Sequence, residues 1–326
     1  MRRIFVAVTA AMTFATLPST ARATPCLVVT LTGTQGGPTV FNGQAGAGTL
    51  VSYGDDSNGC AAVRLQFDAG RGTSMRLSQV KVTPVQLSAI FLTHIHGDHT
   101  EGLPDVLALR WYLKGSKVDV VCSADTVTRS GSVNSCRNYV THIADAFIRS
   151  GEVAERLSED RERLAGGPAE LANVLTFEPK EEPQLVWASG DVKVSAVRST
   201  HIAGHASYRV DTPAGSVVIG GDASNDTPAP PRSHSTSDQV EKLAQGTDVI
   251  VHSAIHPVLG PDRGQRLPRA DLLSAERSHR PWRNGKASGR EVLDVDSSCS
   301  LARHCTTQSL GRARRPSHGS RLPQGR

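Results

Sequence analysis

No Cys-x-x-Cys pair occurs anywhere in the 326-residue chain, which argues against a dithiol redox enzyme. Nor does any apolar run reach the length needed to cross a bilayer; the longest candidate, Ile4 to Leu17, is too short. Basic side chains are scarce through most of the sequence. Residues 24–259 carry 19 Lys or Arg against 25 Asp or Glu, so a dense phosphate-gripping surface is not their general character. The formal net charge of +5 comes instead from residues 261–326, where 14 basic side chains face six acidic ones. From Lys286 to Arg326 no helical or strand period is sustained.

What is present falls into three parts. Arg2 and Arg3 precede the mostly apolar run Ile4 to Leu17, and Ala21-Arg22-Ala23 supplies a small-x-small cleavage site. We therefore expect a signal peptide over 1–23, a periplasmic or secreted product, and no membrane span. Residues 24–259 form the expected folded domain, and the whole chain's 38% hydrophobic composition suffices for a core. Residues 260–326 form a basic tail that we expect to be poorly ordered, because it lacks the apolar surface that offsets chain ordering. Two accounts of that tail stand. One is a disordered nucleic-acid-binding segment. The other is a change of reading frame near Gly264–Leu267, since high-GC codons read one base later spell a more apolar continuation. The nucleotide sequence decides between them.

Export permits disulfides. Of six cysteines, Cys26 with Cys60 and Cys122 with Cys136 are the pairs we expect, each joining segments that can lie close together. Spacing alone does not fix that connectivity.

The densest chemistry lies in Thr93-His-Ile-His-Gly-Asp-His-Thr100. Imidazole nitrogens and carboxylate oxygens are the ligands that zinc and similar divalent ions accept. The preceding Ile90-Phe91-Leu92 reads as the end of a buried strand. In extended chain, His94 and His96 point to the same side. A tight turn at Gly97 would then let Asp98 and His99 reach a second ion.

Other strands read at Cys26–Leu31, Thr49–Tyr53, Ala62–Phe67, Val118–Cys122, Val192–Val197, Tyr208–Val210, Ser216–Ile219 and Val249–His252. The first leads into a glycine-rich turn, Gly33 to Pro38, and the third ends at Asp68-Ala-Gly70. A helix is expected over Asp105–Leu113 with Val106, Leu109 and Leu113 inward, and one or two helices over Asn138–Leu164. Strand–loop–polar units with intervening helices suggest layered α/β architecture with the chemistry at strand ends.

His94-x-His96-x-Asp98-His99, followed by His201 ahead of Tyr208-Arg209 and by Asp222 in Gly-Gly-Asp, resembles the metallo-β-lactamase superfamily. The likeness covers roughly residues 26–259 and lies closest to the branch of ribonuclease Z-like proteins and arylsulfatases. It implies an α/β fold, an αββα sandwich incomplete at the C-terminus. It also implies zinc, two ions in a complete member and as few as one here. His94, His96 and His201 would hold the first ion, and Asp98, His99 and a bridging Asp222 most of the second. Asp98 would also orient a metal-activated hydroxide, and His252 would protonate the leaving group. His205 competes with His201 for the ligand role; we expect His201 as ligand and His205 as a pocket residue or hydrogen-bond donor behind it. The family's final histidine, after a late strand, has no clear counterpart. His279, His304 and His318 lie in the basic tail, and His256 is a weak substitute.

The function this implies is zinc-dependent hydrolysis of a small phosphate or sulfate ester by an exported enzyme. Nucleic acid is not the expected substrate, because export separates the protein from transfer RNA processing. A lactamase or lactonase, and a catalytically degenerate zinc-binding protein, remain the alternatives. Oligomeric state is left open.

Overall fold

A computed structural model describes residues 23–253, apart from 39, 41–42, 144, 146–150, 161, 163–165 and 225–236, together with the backbone of the strand at 291–295. The expected signal peptide, Cys299, Cys305 and the candidates His256, His279, His304 and His318 lie outside the described residues.

The β-branched and aromatic runs form strands because they suit a pleated surface buried on one or both faces. One six-stranded sheet contains β1 (Pro25–Gly33), β2 (Gly48–Asp55), β3 (Val63–Phe67), β4 (Ala89–Phe91), β5 (Val118–Ser123) and β8 (Ala172–Phe177), in the order β1-β2-β3-β4-β5-β8. β1 to β3 pair antiparallel, and β3, β4, β5 and β8 run parallel. A short hairpin, β6 (Thr126–Val127) with β7 (Val133–Asn134), projects after β5. The second sheet has the order β14-β13-β12-β11-β10-β9, from β9 (Gln184–Ser189), β10 (Val192–Arg198), β11 (Ala206–Thr212), β12 (Gly215–Ile219), β13 (Val249–Ser253) and β14 (Glu291–Val295).

β4 shows how the layers are specified. It is buried on both faces, so it reads as a continuous apolar run. Ala89 and Phe91 join the core between the sheets, while Ile90 and Leu92 join the core on the helix side. Between the sheets Phe67 stacks on Phe91 at 4.7 Å, and both rings meet Tyr208 of the second sheet. The buried Tyr208 hydroxyl donates to Leu92 O at 2.7 Å, tying the two sheets together just before the histidine motif. On the outer face of the first sheet lie α1 (Thr73–Gln79), α3 (Leu103–Tyr112) and α4 (Cys136–His142), and α6 (Asp238–Leu243) covers the second. A further helix, α5 (Glu152–Glu159), packs Val153 against Trp111 and Leu171. The four layers make an αββα sandwich.

Besides elements that it did not include, among them β8, β9, α1 and α6, three features differ from the sequence reading. The inward face of α3 is Leu103, Val106, Leu107, Arg110 and Trp111, a helical i, i+3, i+4, i+7, i+8 set. Leu109 is only partly buried, and Leu113 is exposed because the helix stops at Tyr112. Gly97 opens a single helical turn, α2 (Gly97–Thr100), rather than a bare turn. Within the tail, Glu291–Val295 pairs in parallel with β13, although the surrounding composition showed no strand period. Such pairing satisfies the backbone groups that β13 would otherwise leave at an edge.

Both expected disulfides are present. Cys26–Cys60 joins the start of β1 to the turn after β2, and Cys122–Cys136 joins β5 to α4, with Cα separations of 5.5 and 6.4 Å. Among the described residues no helix is long and apolar enough to cross a membrane.

Candidate metal centre

Because β3, β4 and β5 run parallel, their C-terminal ends reach one edge of the sandwich, and β10, β12 and β13 end there too. The residues that follow these strands supply the site: Asp68 after β3, His94 to His99 after β4, His201 after β10, Asp222 after β12 and His252 near the end of β13. The motif's helical turn fits closely against glycine backbone. A Cβ on Gly70 would lie 2.1 Å from Asp98 O, so any side chain there would push the metal-motif loop away.

His94, His96 and His201 come together with ligand atoms within 4.8 Å of one another. His94 Nε2 is 2.9 Å, and His201 Nε2 3.3 Å, from His96 Nδ1. A second group consists of His94, His99 and Asp222. Asp98 stands beside it rather than within it, its Oδ2 3.6 Å from His99 Nε2. His94 takes part in both groups because its ring packs 4.1 Å from that of His99. Asp222 spans them: Oδ1 is 3.2 Å from His99 Nε2 and Oδ2 is 3.8 Å from His201 Nε2. His205 belongs to neither group. His252 packs against the backbone before Asp222, where a Cβ on Gly220 would lie 2.5 Å from its Nδ1. It also lines, with Gly33, Gln35, Asp68 and Gly221, a cavity of about 30 Å³ at the sheet edge, room for one water.

The residues fit a divalent cation. His99 Nδ1 donates to Asp68 Oδ2 at 2.8 Å, and His94 Nδ1 lies 3.1 Å from Thr93 Oγ1. In each ring the nitrogen left over is Nε2, the one facing the neighbouring ligands. His99 Nε2 is buried and makes no hydrogen bond although Asp222 Oδ1 is close, an arrangement that a shared cation would complete.

Charges follow the same logic. Burial drives the His94 pKa well below the ordinary imidazole value, with neighbouring histidines adding to the effect. Burial raises that of Asp98. Asp222, half-buried, and the buried His99 act on each other. Burial opposes the charge on each, yet His99 holds the Asp222 carboxyl well below its usual range, and Asp222 and Asp68 hold the His99 imidazole well above its own. A cation held by His99 and Asp222 would take the place of a proton on His99.

Asp68 is the functional residue that the sequence reading did not assign. It was visible only as a carboxylate at a strand end. Its Oδ1 accepts from Thr93 N at 2.8 Å and its Oδ2 from Thr93 Oγ1 and His99 Nδ1, so it fixes the backbone entering the motif as well as one ligand's tautomer. An amide at this position would turn a donor toward His99 Nδ1–H. Asp68→Asn is therefore expected to weaken the second ion on the order of 10–100-fold while sparing the first. Competition titration with a chelating dye measures both affinities; equal weakening would mean that Asp68 acts on the whole fold rather than on His99.

A family model described as anti-Pycsar protein Apyc1 matches residues 59–130, the stretch containing Asp68 and the histidine motif. A ribonuclease Z of Mycolicibacterium gilvum is 28% identical over 229 residues, 70% of this chain and 68% of its own. A ribonuclease Z of Lacticaseibacillus casei is 48% identical over 44 residues, 14% of each chain. Among solved structures, the short form of human tRNase Z aligns with a TM-score of 0.47 at 18% identity, covering 77% of this chain and 88% of that one. The metallo-β-lactamase fold protein YhfI of Bacillus subtilis aligns with a TM-score of 0.44 at 15% identity, covering 70% of each chain. The ribonuclease Z likeness extends through most of the described domain, so the chain is similar in sequence to the ribonuclease Z-like hydrolases over that length.

Proposed function

We propose that this protein is an exported, zinc-dependent hydrolase of small phosphate or sulfate esters. The observation that carries the reading is the pair of adjoining ligand groups, three imidazoles on one side and His99 with Asp222 on the other. Two ions bound there would supply the charge that makes water nucleophilic near neutral pH and that offsets negative charge developing at the attacked centre. His94, His96 and His201 would hold the first, and His99, Asp222 and Asp98 the second. Asp98, buried beside His99, accepts a hydrogen bond from the attacking water and so aims it. His252, at the sheet edge next to Gly220, delivers a proton to the leaving oxygen. The two disulfides support export, since such bonds persist in oxidising compartments. The net negative charge of residues 24–259 supports a small ester over a polyanionic strand.

Purified protein is expected to carry two zinc equivalents and to turn over bis(nitrophenyl) phosphate or nitrophenyl sulfate. A chelator should abolish that activity and added zinc restore it. Faster cleavage of a transfer RNA precursor than of either ester would overturn the choice of substrate. A second reading has its own support: among the described residues no histidine beyond His94, which the first group shares, joins His99 and Asp222. One equivalent of zinc and no turnover of any ester would identify a degenerate zinc-binding protein.

A further inference from the structure

His205 is wholly buried and lies four residues from a metal-group histidine, yet both of its nitrogens are already engaged. The Asp222 N–H donates to His205 Nε2 at 3.2 Å, so that nitrogen carries no proton and the ring is the Nδ1–H tautomer. Nδ1–H then donates to Ser199 Oγ at 2.7 Å. The next links have fixed directions as well. Ser207 Oγ donates to Gly220 O at 2.8 Å, so Ser199 Oγ must donate to Ser207 Oγ, also at 2.8 Å. The chain of bonds thus runs from Asp222 N–H through His205, Ser199 and Ser207 and ends on Gly220 O, two residues from where it began.

That closed ring grips the Gly220-Gly221-Asp222 turn from both ends. Gly221 between them has φ of 57°, and a Cβ there would meet the Thr93 side chain at 2.9 Å and His205 Nε2 at 3.0 Å. The turn has no slack. Ser199, Ser207 and His205 are all buried, so water cannot replace a missing link without rearrangement.

We propose that His205 is a positioning residue for the second ion: it holds the Asp222 backbone so that the carboxylate meets His99, and it binds no metal itself. This rests on the metal-centre reading above and adds to it a residue with a defined tautomer. The two amide isosteres of histidine separate its bonds. Asparagine places a donor where Nδ1 stood and loses the acceptor for Asp222 N–H. Glutamine places an acceptor where Nε2 stood.

Cobalt(II) titration followed by visible absorbance resolves the two sites and reads binding without turnover. In the wild-type protein two successive saturations are expected. H205N should keep the first within about twofold and weaken the second on the order of tenfold or more, and H205Q, which keeps the acceptor for Asp222 N–H but not the donor to Ser199, should recover part of that loss. Equal weakening of both sites in H205N, no weakening at all, or failure of H205Q to recover the second site would overturn the proposal. Should H205N not fold, Ser199→Ala cuts the same ring one link away and is read by the same ratio: selective loss of the second site supports the role, and loss of both or neither overturns it. A wild-type protein that binds no cobalt would overturn the metal-centre reading and this proposal with it, and that result appears before any variant is made.

Discussion

Replacing His96 with alanine is expected to strip the first ion and to collapse ester turnover on the order of 10³-fold, since an ion contributes several kcal/mol to the transition state. His96 holds the central place in its group. Its Nδ1 faces His94 Nε2 at 2.9 Å and His201 Nε2 at 3.3 Å, so its removal leaves two imidazoles with nothing between them. The substitution should do little to the fold, because His96 follows β4 and is only partly buried. Its backbone carbonyl, which accepts from Thr100 Oγ1 and from His99 N, is kept by alanine. The second ion should suffer less than the first, since His99 and Asp222 are oriented by Asp68 and by the turn after β12. Elemental analysis alongside thermal unfolding of the chelated protein checks both points. Unchanged zinc in the variant would remove His96 from the ligand set.

The part of this site that could be read from the sequence is the part built from neighbours. Four ligand candidates fall within six residues after an apolar run, and the i, i+2 spacing of His94 and His96 already places their rings together. His201 and Asp222 could be read because each follows a strand. Asp68 could not be assigned a role, because its bond to His99 spans 31 residues and exists only through the parallel pairing of β3 with β4. The ring through His205 is similarly hidden: it needs the register that sets Ser207 near Ser199 and brings β12 alongside β11. Central strands such as β4 and β12 announce themselves by continuous apolar residues. β8 and β9 do not, because each lies at a sheet edge with several residues half or fully exposed, and edge strands carry a diluted pattern. α6 spans six residues, too few to display a helical period, and only Ser237 accepting from Val240 N marks its start.

The two disulfides are expected to behave differently when removed, although their entropic contributions are similar. Each should stabilise the fold by about 3–4 kcal/mol in the chain-entropy account, given closed loops of 34 and 14 residues. Cys26–Cys60 ties the first strand to a surface turn and touches nothing in the metal centre. Cys122–Cys136 closes the base of the β6–β7 hairpin, and that hairpin holds the loop carrying His201. Asn134 Nδ2 donates to Ala203 O at 3.1 Å, and Ser123 Oγ donates to Gly204 O, so the loop is gripped from both sides of the disulfide. Cys122 and Cys136 also line one small cavity with His94 and Ile95. Paired serine substitution of Cys122 and Cys136 should therefore lower stability and also weaken the first ion on the order of tenfold, as losses behind a ligand shell do. The same substitution of Cys26 and Cys60 should lower stability alone. Denaturant unfolding with and without a chelator, together with zinc competition, separates the two effects. Equal zinc affinity in the two double variants would mean that the hairpin does not hold His201 in place, and that the loop keeps its shape from β10 and β11 alone.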